Sequence, residues 1–377
     1  MNKISNLRLI VIVPILLLTI TRILAEDNLP SPKSNFIAPK IDLLFSVFSV
    51  TEDASISKGA ATSIEGHFGY LLDENISLTL WPVTSFISGQ QTSRDPQSPL
   101  TNSIYLNEAS VEMKLAYNVK IKLGTLYQKD YLPGMAGQSK SFPAIALIAP
   151  INFETISQFI ELRTQAAVPT SSGIANSTTE LQSSSSLLSA GIWLKSNWNN
   201  NFSTHLSLTK FKFNHLSSQI ATDSLQRGNT VIKLNASSGS FIYNYSGNEI
   251  IFSLNYLFNN DFNLNFKTSY IKNNSAPRDL NQGYYFAIKP GFKISAKYTL
   301  RPVLEKYHVQ SDAMVAVFSD TRYGRTNRDG HRLGLNLETN KYLLELLVAQ
   351  SNLIQPTPFQ SADRSIFINL EIDNIPL

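Results

Sequence analysis

The chain has 377 residues, a formal net charge of +4, no cysteine and only 16% charged residues. Without thiols it has neither a disulfide framework nor a cysteine to lipidate as an anchor. Its charge content falls well below the roughly 25% of soluble domains.

Met1 to Ala25 has the build of an export signal: Lys3 and Arg8 at the front, an apolar stretch from Leu9 to Ile20, and Ala25 as a small residue before Glu26. The apolar stretch is short for a spanning helix, which needs about 20 residues. Cleavage there removes Lys3, Arg8 and Arg22 and no acid, so the net charge falls from +4 to +1. A nearly neutral mature chain has no electrostatic basis for binding nucleic acid. Residues 26–39 are expected as a short periplasmic segment and residues 40–377 as a transmembrane β-barrel.

Further along, apolar residues take every second position, the period of a strand with one greasy and one wet face. Strands of this kind are expected over Lys40–Val50, Ser63–Leu72 and Ser77–Ile87. Val111, Met113 and Leu115 then alternate with Glu112 and Lys114. After a turn at Tyr117-Asn118, Ile121 and Leu123 alternate with Lys120 and Lys122. The clearest strand is Asp261–Lys272, where Phe262, Leu264, Phe266 and Tyr270 oppose Asn263, Asn265, Lys267 and Ser269. Leu333, Leu335 and Leu337 oppose Arg332 and Glu338, and Ile366, Ile368 and Leu370 oppose Asn369 and Glu371. A helix would scatter these charges; a period of two gathers them on one wet face.

Connections alternate in length. Short turns at Asp73-Glu74-Asn75, Tyr117-Asn118, Asn199-Asn200-Asn201, Asn259-Asn260 and Thr339-Asn340 alternate with long polar stretches such as 169–186, 214–229 and 310–329. Short periplasmic turns and long external loops mark an all-β, up-and-down antiparallel barrel in an outer membrane. The count is about 16 strands, with 14 or 18 as alternatives. Two segments leave it open: Phe142–Ala149 and Val231–Tyr245 read either as wall strands or as parts of loops. In Ile250-Ile251-Phe252 and Leu343-Leu344 both faces are apolar, which fits subunit contact, a lumen-filling loop or a shifted boundary.

The wet faces nominate pore-lining residues: Glu112, Lys114, Lys120, Lys122, Arg163, Lys267, Arg301, Glu305 and Arg332. The signs are mixed, so no ring of one charge argues for ion selectivity. The stretch from Lys129 to Phe153 combines Asp130, Tyr131 and Lys140 with an apolar run from Phe142. It reads either as a loop folded inward to narrow the pore, with those three residues as constriction candidates, or as a turn plus another strand. Arg322, Arg325 and Arg328, with Asp320 and Asp329, make 317–330 the most charged loop. The five histidines are scattered, without metal-ligand or nucleophile-elbow spacing. No enzyme activity, cofactor or metal is expected.

Leu106 to Gly134 (LNEASVEMKLAYNVKIKLGTLYQKDYLPG), Val317 to Glu338 and the closing strand Ser365–Asp373 resemble the porins of Gram-negative outer membranes. The resemblance implies a passive, water-filled channel for small hydrophilic solutes, often built as a homotrimer among outer-membrane lipids. A departure is the ending Ile375-Pro376-Leu377, where porins commonly carry an aromatic residue. The alternative function is a barrel whose long loops serve as an adhesin or receptor surface.

Overall fold

The computed structural model describes residues 35–52, 55–91, 102–137, 140–152, 158–170, 185–233, 238–319 and 325–376. The expected export signal and part of the charged 317–330 segment lie outside the described residues.

The strands are β1 (Phe36–Glu52), β2 (Ser55–Leu71), β3 (Ile76–Gln91), β4 (Ser103–Lys114), β5 (Lys120–Tyr127), β6 (Ser141–Asn152), β7 (Gln158–Ala167), β8 (Ser186–Asn199) and β9 (Phe202–Asn214). They continue with β10 (Val231–Lys233), β11 (Gly239–Phe241), β12 (Tyr245–Asn259), β13 (Phe262–Asn273), β14 (Gln282–Lys293), β15 (Thr299–Val309), β16 (Arg328–Glu338), β17 (Tyr342–Leu353) and β18 (Asp363–Pro376). Sixteen of them close into one antiparallel barrel in chain order, with β9 paired to β12 and β1 to β18. The remaining two, β10 and β11, form a small separate hairpin. Closure gives every wall strand two partners, which a lipid environment demands because it offers the backbone no hydrogen bonds.

The short turns follow from their residues. At one rim the side-chain oxygens of Asp73, Asn259 and Thr339 each accept two backbone N–H bonds from two and three residues on, at 2.7–3.1 Å. These local side-chain caps fix tight reversals. The β4–β5 turn instead places Tyr117 and Asn118 at φ of 59° and 58°, the left-handed pair that matches hairpin twist.

Connections at the opposite rim are numbered L1 to L8 in chain order. L3 is 128–140, L5 is 215–244 and L7 is 310–327. L5 carries a short helix, α1 (Ser218–Leu225), whose first turn is capped by the Ser217 hydroxyl.

Both open segments are now placed. Ser141–Asn152 is wall strand β6, whereas Val231–Lys233 and Gly239–Phe241 pair as β10 and β11 inside L5, and Tyr245 opens wall strand β12. The wall starts at Phe36, before the expected Lys40. β2 starts at Ser55 instead of Ser63, because Ser57, Gly59, Ala60 and Ala61 bear no large apolar side chains to show the alternation.

Outward positions are apolar and exposed around the wall, as with Phe45, Leu123, Leu208, Leu304, Leu335 and Ile368. Near the short-turn rim, Trp198, Phe202, Tyr256, Phe258, Phe262 and Phe292 form a continuous run of ring contacts, with centroids 4.4–6.4 Å apart. Such a band suits a membrane–water interface.

Candidate functional site

The inner face is built in two halves. Near the long-loop rim it is covered by a packed apolar core contributed by three loops. Leu132, Met135 and Ala136 of L3, Ile220 of α1 and Ala313–Phe318 of L7 pack on inward side chains of β6–β9 and β12–β15. Phe318 lies between Phe142 at 5.0 Å and Phe213 at 5.7 Å. The cluster includes no residue of β16–β18 or β1–β5, so half of the circumference is left uncovered by it.

Polar clamps hold this insertion. The Asp312 carboxylate accepts from the Tyr245 hydroxyl at 2.8 Å and from the Thr230 backbone N–H at 3.0 Å and hydroxyl at 2.5 Å. Burial pushes its carboxyl up from the ordinary value, and those donors oppose the rise. Asn229 donates to the carbonyls of Ser311 and Met314 and accepts from the Ala316 N–H. Asn273 donates to the Asp312 carbonyl at 2.9 Å. The tip of L3 is tied separately, by the Met135 N–H donating to the Glu249 carboxylate on β12.

Part of the Lys129–Phe153 stretch therefore folds inward, up to about residue 137, while its apolar run joins the wall. Of the three constriction candidates, Asp130 offers its carbonyl to Arg163. Desolvation raises the Asp130 carboxyl, and Lys122 and Arg163 oppose that shift. Tyr131 is buried against Leu126 and Ala146, and burial pushes its phenol up. Lys140 sits at the long-loop mouth near Arg227, Arg325 and Asp223 rather than at L3's tip.

Strand register carries each pore-lining candidate on the inner face. Lys120 pairs with Glu112 at 2.9 Å, and Lys122 with Glu108 at 3.1 Å. Lys114 stands opposite Lys120 in the β4–β5 register. Arg163 pairs with Glu161 and lies 4.9 Å from the Trp193 ring. Arg301 forks onto Glu338 at 2.8 and 2.9 Å and reaches Asn263. Glu305 accepts from Arg332 at 3.0 Å and Tyr285 at 2.9 Å, with Lys289 at 3.4 Å. Lys267 lies within electrostatic reach of His205 and Glu249.

Besides these mixed pairs, the inner face carries one acidic and one basic grouping. Asp42, Glu65, Glu371 and Asp373, on β1, β2 and β18, lie within electrostatic reach of one another. Glu345 on β17 accepts from Asn369 beside them. Across the barrel, Arg163, Lys195 and Lys267 surround His205 on β9. Between the strands of this basic side runs a registered inward row, Asn197–Ser203–Asn255–Asn265–Lys289. It lines part of a cavity of about 510 Å³ near the short-turn rim, to which Asn199, Asn200 and Asn263 also contribute.

Sequence reasoning missed the clamps and the asparagine row. The run Ala313-Met314-Val315-Ala316-Val317-Phe318, apolar within a long polar connection, was a usable signal for the L7 insertion. Ile251, inward and buried, shows that the two-sided apolar segment of β12 has a dry inner neighbour.

Against solved structures, the chain is similar to Pseudomonas putida OprB at high pH, with a TM-score of 0.58 and 11% identity over 90% of this chain and 94% of that one. The fold is that of the outer-membrane porins. Salmonella typhi OmpF in complex with daunomycin gives a TM-score of 0.52 at 10% identity, covering 89% of this chain and 97% of that one. A loop L8 deletion mutant of OmpT, an outer membrane protein of Vibrio cholerae, gives 0.51 at 9% identity, covering 90% of this chain and 100% of that one. No family model and no curated protein matches the sequence. The porin fold here thus comes with little sequence identity, and its inner side chains are this chain's own.

Proposed function

We propose that this outer-membrane barrel is a porin that lets small hydrophilic solutes diffuse passively along its inner wall. The observation that carries the reading is the uneven filling of the lumen. The apolar insertion rests on β6–β9 and β12–β15, with Tyr131 also reaching Leu126 of β5, while β18, β1 and β2 keep half-buried inward polar and charged groups such as Asp42, Ser46, Glu65, Asn369 and Glu371. Solutes would pass along that uncovered side and then between the acidic and basic sides. Charged and amide groups replace part of a solute's water shell there, and the two charge groupings orient dipolar solutes in transit. The adhesin reading has less support, because L3, L5 and L7 bury apolar side chains inside the barrel.

The test is reconstitution of the folded barrel into planar bilayers. Discrete conductance steps that scale with electrolyte concentration are expected, and a folded barrel that never conducts overturns the proposal.

A further inference from the structure

One inward row of the wall is apolar although it lies outside the packed loop core. Register carries Phe48, Phe367, Leu347, Gly334 and Val303 side by side across β1, β18, β17, β16 and β15. Their inward direction follows from the next pair along, where the Ser46 hydroxyl donates to the Asn369 side-chain carbonyl on the polar face. Val47, Ile366 and Ile368, which alternate with Phe48 and Phe367, are exposed on the lipid side. Leu347 and Val303 are buried, whereas Phe48 and Phe367 are only half-buried.

Glycines let this row lie flat. The Phe48 ring covers Gly59 on β2, where a Cβ would meet it at 2.8 Å, and Leu347 covers Gly334 in the same way. Neither Phe48 nor Phe367 belongs to a loop-packed cluster, and apolar surface beside an aqueous path favours a partner that covers it. The strip next to the row is acidic. Glu345 stands opposite Asn369, two residues from Phe367, so at about 4.8 Å per strand and about 3.4 Å per residue the backbones of Glu345 and Phe367 lie roughly 8 Å apart. Glu345 accepts from Asn369 at 3.0 Å and forms no ion pair among the described residues. By contrast Glu108, Glu112, Glu161, Glu305 and Glu338 each meet a lysine or arginine. Glu371, about 14 Å beyond Phe367 along β18, likewise forms no ion pair among the described residues.

We propose that Phe48, Phe367 and Glu345 make this lumen selective for organic ammonium ions that carry an aromatic or branched alkyl body. The body would lie on the half-buried rings while the ammonium meets Glu345 and then Glu371. Polar cations gain only the acids there, and aromatic anions gain only the rings. A ring contact, or a cation over a ring, is worth roughly three- to tenfold in affinity. The inference rests on the channel reading and narrows its solute class.

Potassium current through the folded barrel in planar bilayers provides the test and keeps the two readings apart: no current at all defeats the channel, whereas current without discrimination defeats the selectivity alone. 2-Phenylethylammonium, protonated glucosamine and phenylacetate are added to both sides, and the concentration that halves the current is read for each. Phenylethylammonium is expected to halve it at a roughly three- to tenfold lower concentration than either of the others. F48S/F367S is expected to erase its advantage over protonated glucosamine, and E345Q to weaken both ammonium ions but not phenylacetate. Equal values for the two ammonium ions in the wild type overturn the proposal, as does an advantage that survives F48S/F367S. Phenylacetate acting as well as phenylethylammonium removes the part assigned to Glu345 and overturns it too. Should the double variant not fold, a series from methylammonium to butylammonium on the wild type decides: a half-blocking concentration that falls with each added methylene supports the proposal, and a constant one overturns it.

Discussion

The Glu249 carboxylate on β12 accepts a hydrogen bond from the backbone N–H of Met135, 114 residues earlier in the chain. Through that contact the tip of L3 is anchored to a wall strand four places round the barrel from β6. Gly134 makes the approach possible, since a Cβ there would collide with the same carboxylate. Ser269 adds a second donor at 3.3 Å.

Removing the acceptor should release the tip. Glu249→Ala leaves a buried N–H without a partner, at a cost of about 1–3 kcal/mol, and is expected to raise conductance and its fluctuation. Glu249→Gln keeps an acceptor of the same shape and is expected to stay near wild type. Single-channel recordings of the two variants, with thermal unfolding beside them, check the contrast; equal traces would remove L3's tip from the permeation path.

Asp312 plays the corresponding part for L7, with three donors converging on one carboxylate. Asp312→Ala strands the Tyr245 hydroxyl and the Thr230 N–H, each worth about 1–3 kcal/mol when left unsatisfied. Hydrogen exchange over 310–319 is expected to accelerate while the sixteen wall strands remain protected, because the wall's hydrogen bonds are independent of the loop. Loss of protection throughout the barrel would show the insertion to be part of the folding core.

The difference between what was legible in advance and what was not follows from distance along the chain. Phe262, Leu264 and Phe266 announce β13 because alternation is local, and Asp73, Asn259 and Thr339 announce turns because each caps its own neighbours. The Asp312 clamp was illegible because its partners Tyr245 and Thr230 stand 67 and 82 residues away. Nor does sequence order reveal that acids of β1, β2 and β18 become neighbours, since only barrel closure joins the two ends of the chain. The inward placement of Lys120, Lys122 and Arg301 needed alternation alone, whereas their pairing with Glu112, Glu108 and Glu338 needed the register.

Lys140 gives the loop insertion a pH dependence. Burial, with Arg227 and Arg325 nearby, lowers its ammonium to about 8, against a partial opposing effect of Asp223. In the unfolded chain the group titrates near 10.5. The folded state thus holds fewer protons than the unfolded state between these values, so stability rises with pH through that window. Lys140→Met removes a buried charge and is expected to stabilise the barrel at pH 7 by on the order of 1–3 kcal/mol. The gain should shrink above pH 8 and vanish near 10.5. Paired thermal melts of wild type and variant across pH 7 to 10.5 measure it, and a pH-independent difference would assign the effect to packing instead.

The acidic and basic groupings lead to an opposite-sign pair of selectivity changes. Glu345, Glu371 and Asp373 belong to the acidic side, on the uncovered half of the wall. Lys195 and Lys267 belong to the basic side around His205. A fixed charge raises the local concentration of its counter-ion, more so where low-dielectric walls focus the field. The acid-removal variant E345Q/E371Q/D373N is expected to move the reversal potential in a salt gradient toward that of anions. K195Q/K267Q is expected to move it toward that of cations, and by less, because the loop insertion covers part of the wall on their strands. Measured at low salt and again at high salt, both shifts should diminish as screening shortens the reach of the wall charges. Unchanged reversal potentials in both variants would mean that ions do not travel between these two faces, and the diffusion path proposed along the uncovered side of the wall would have to be abandoned.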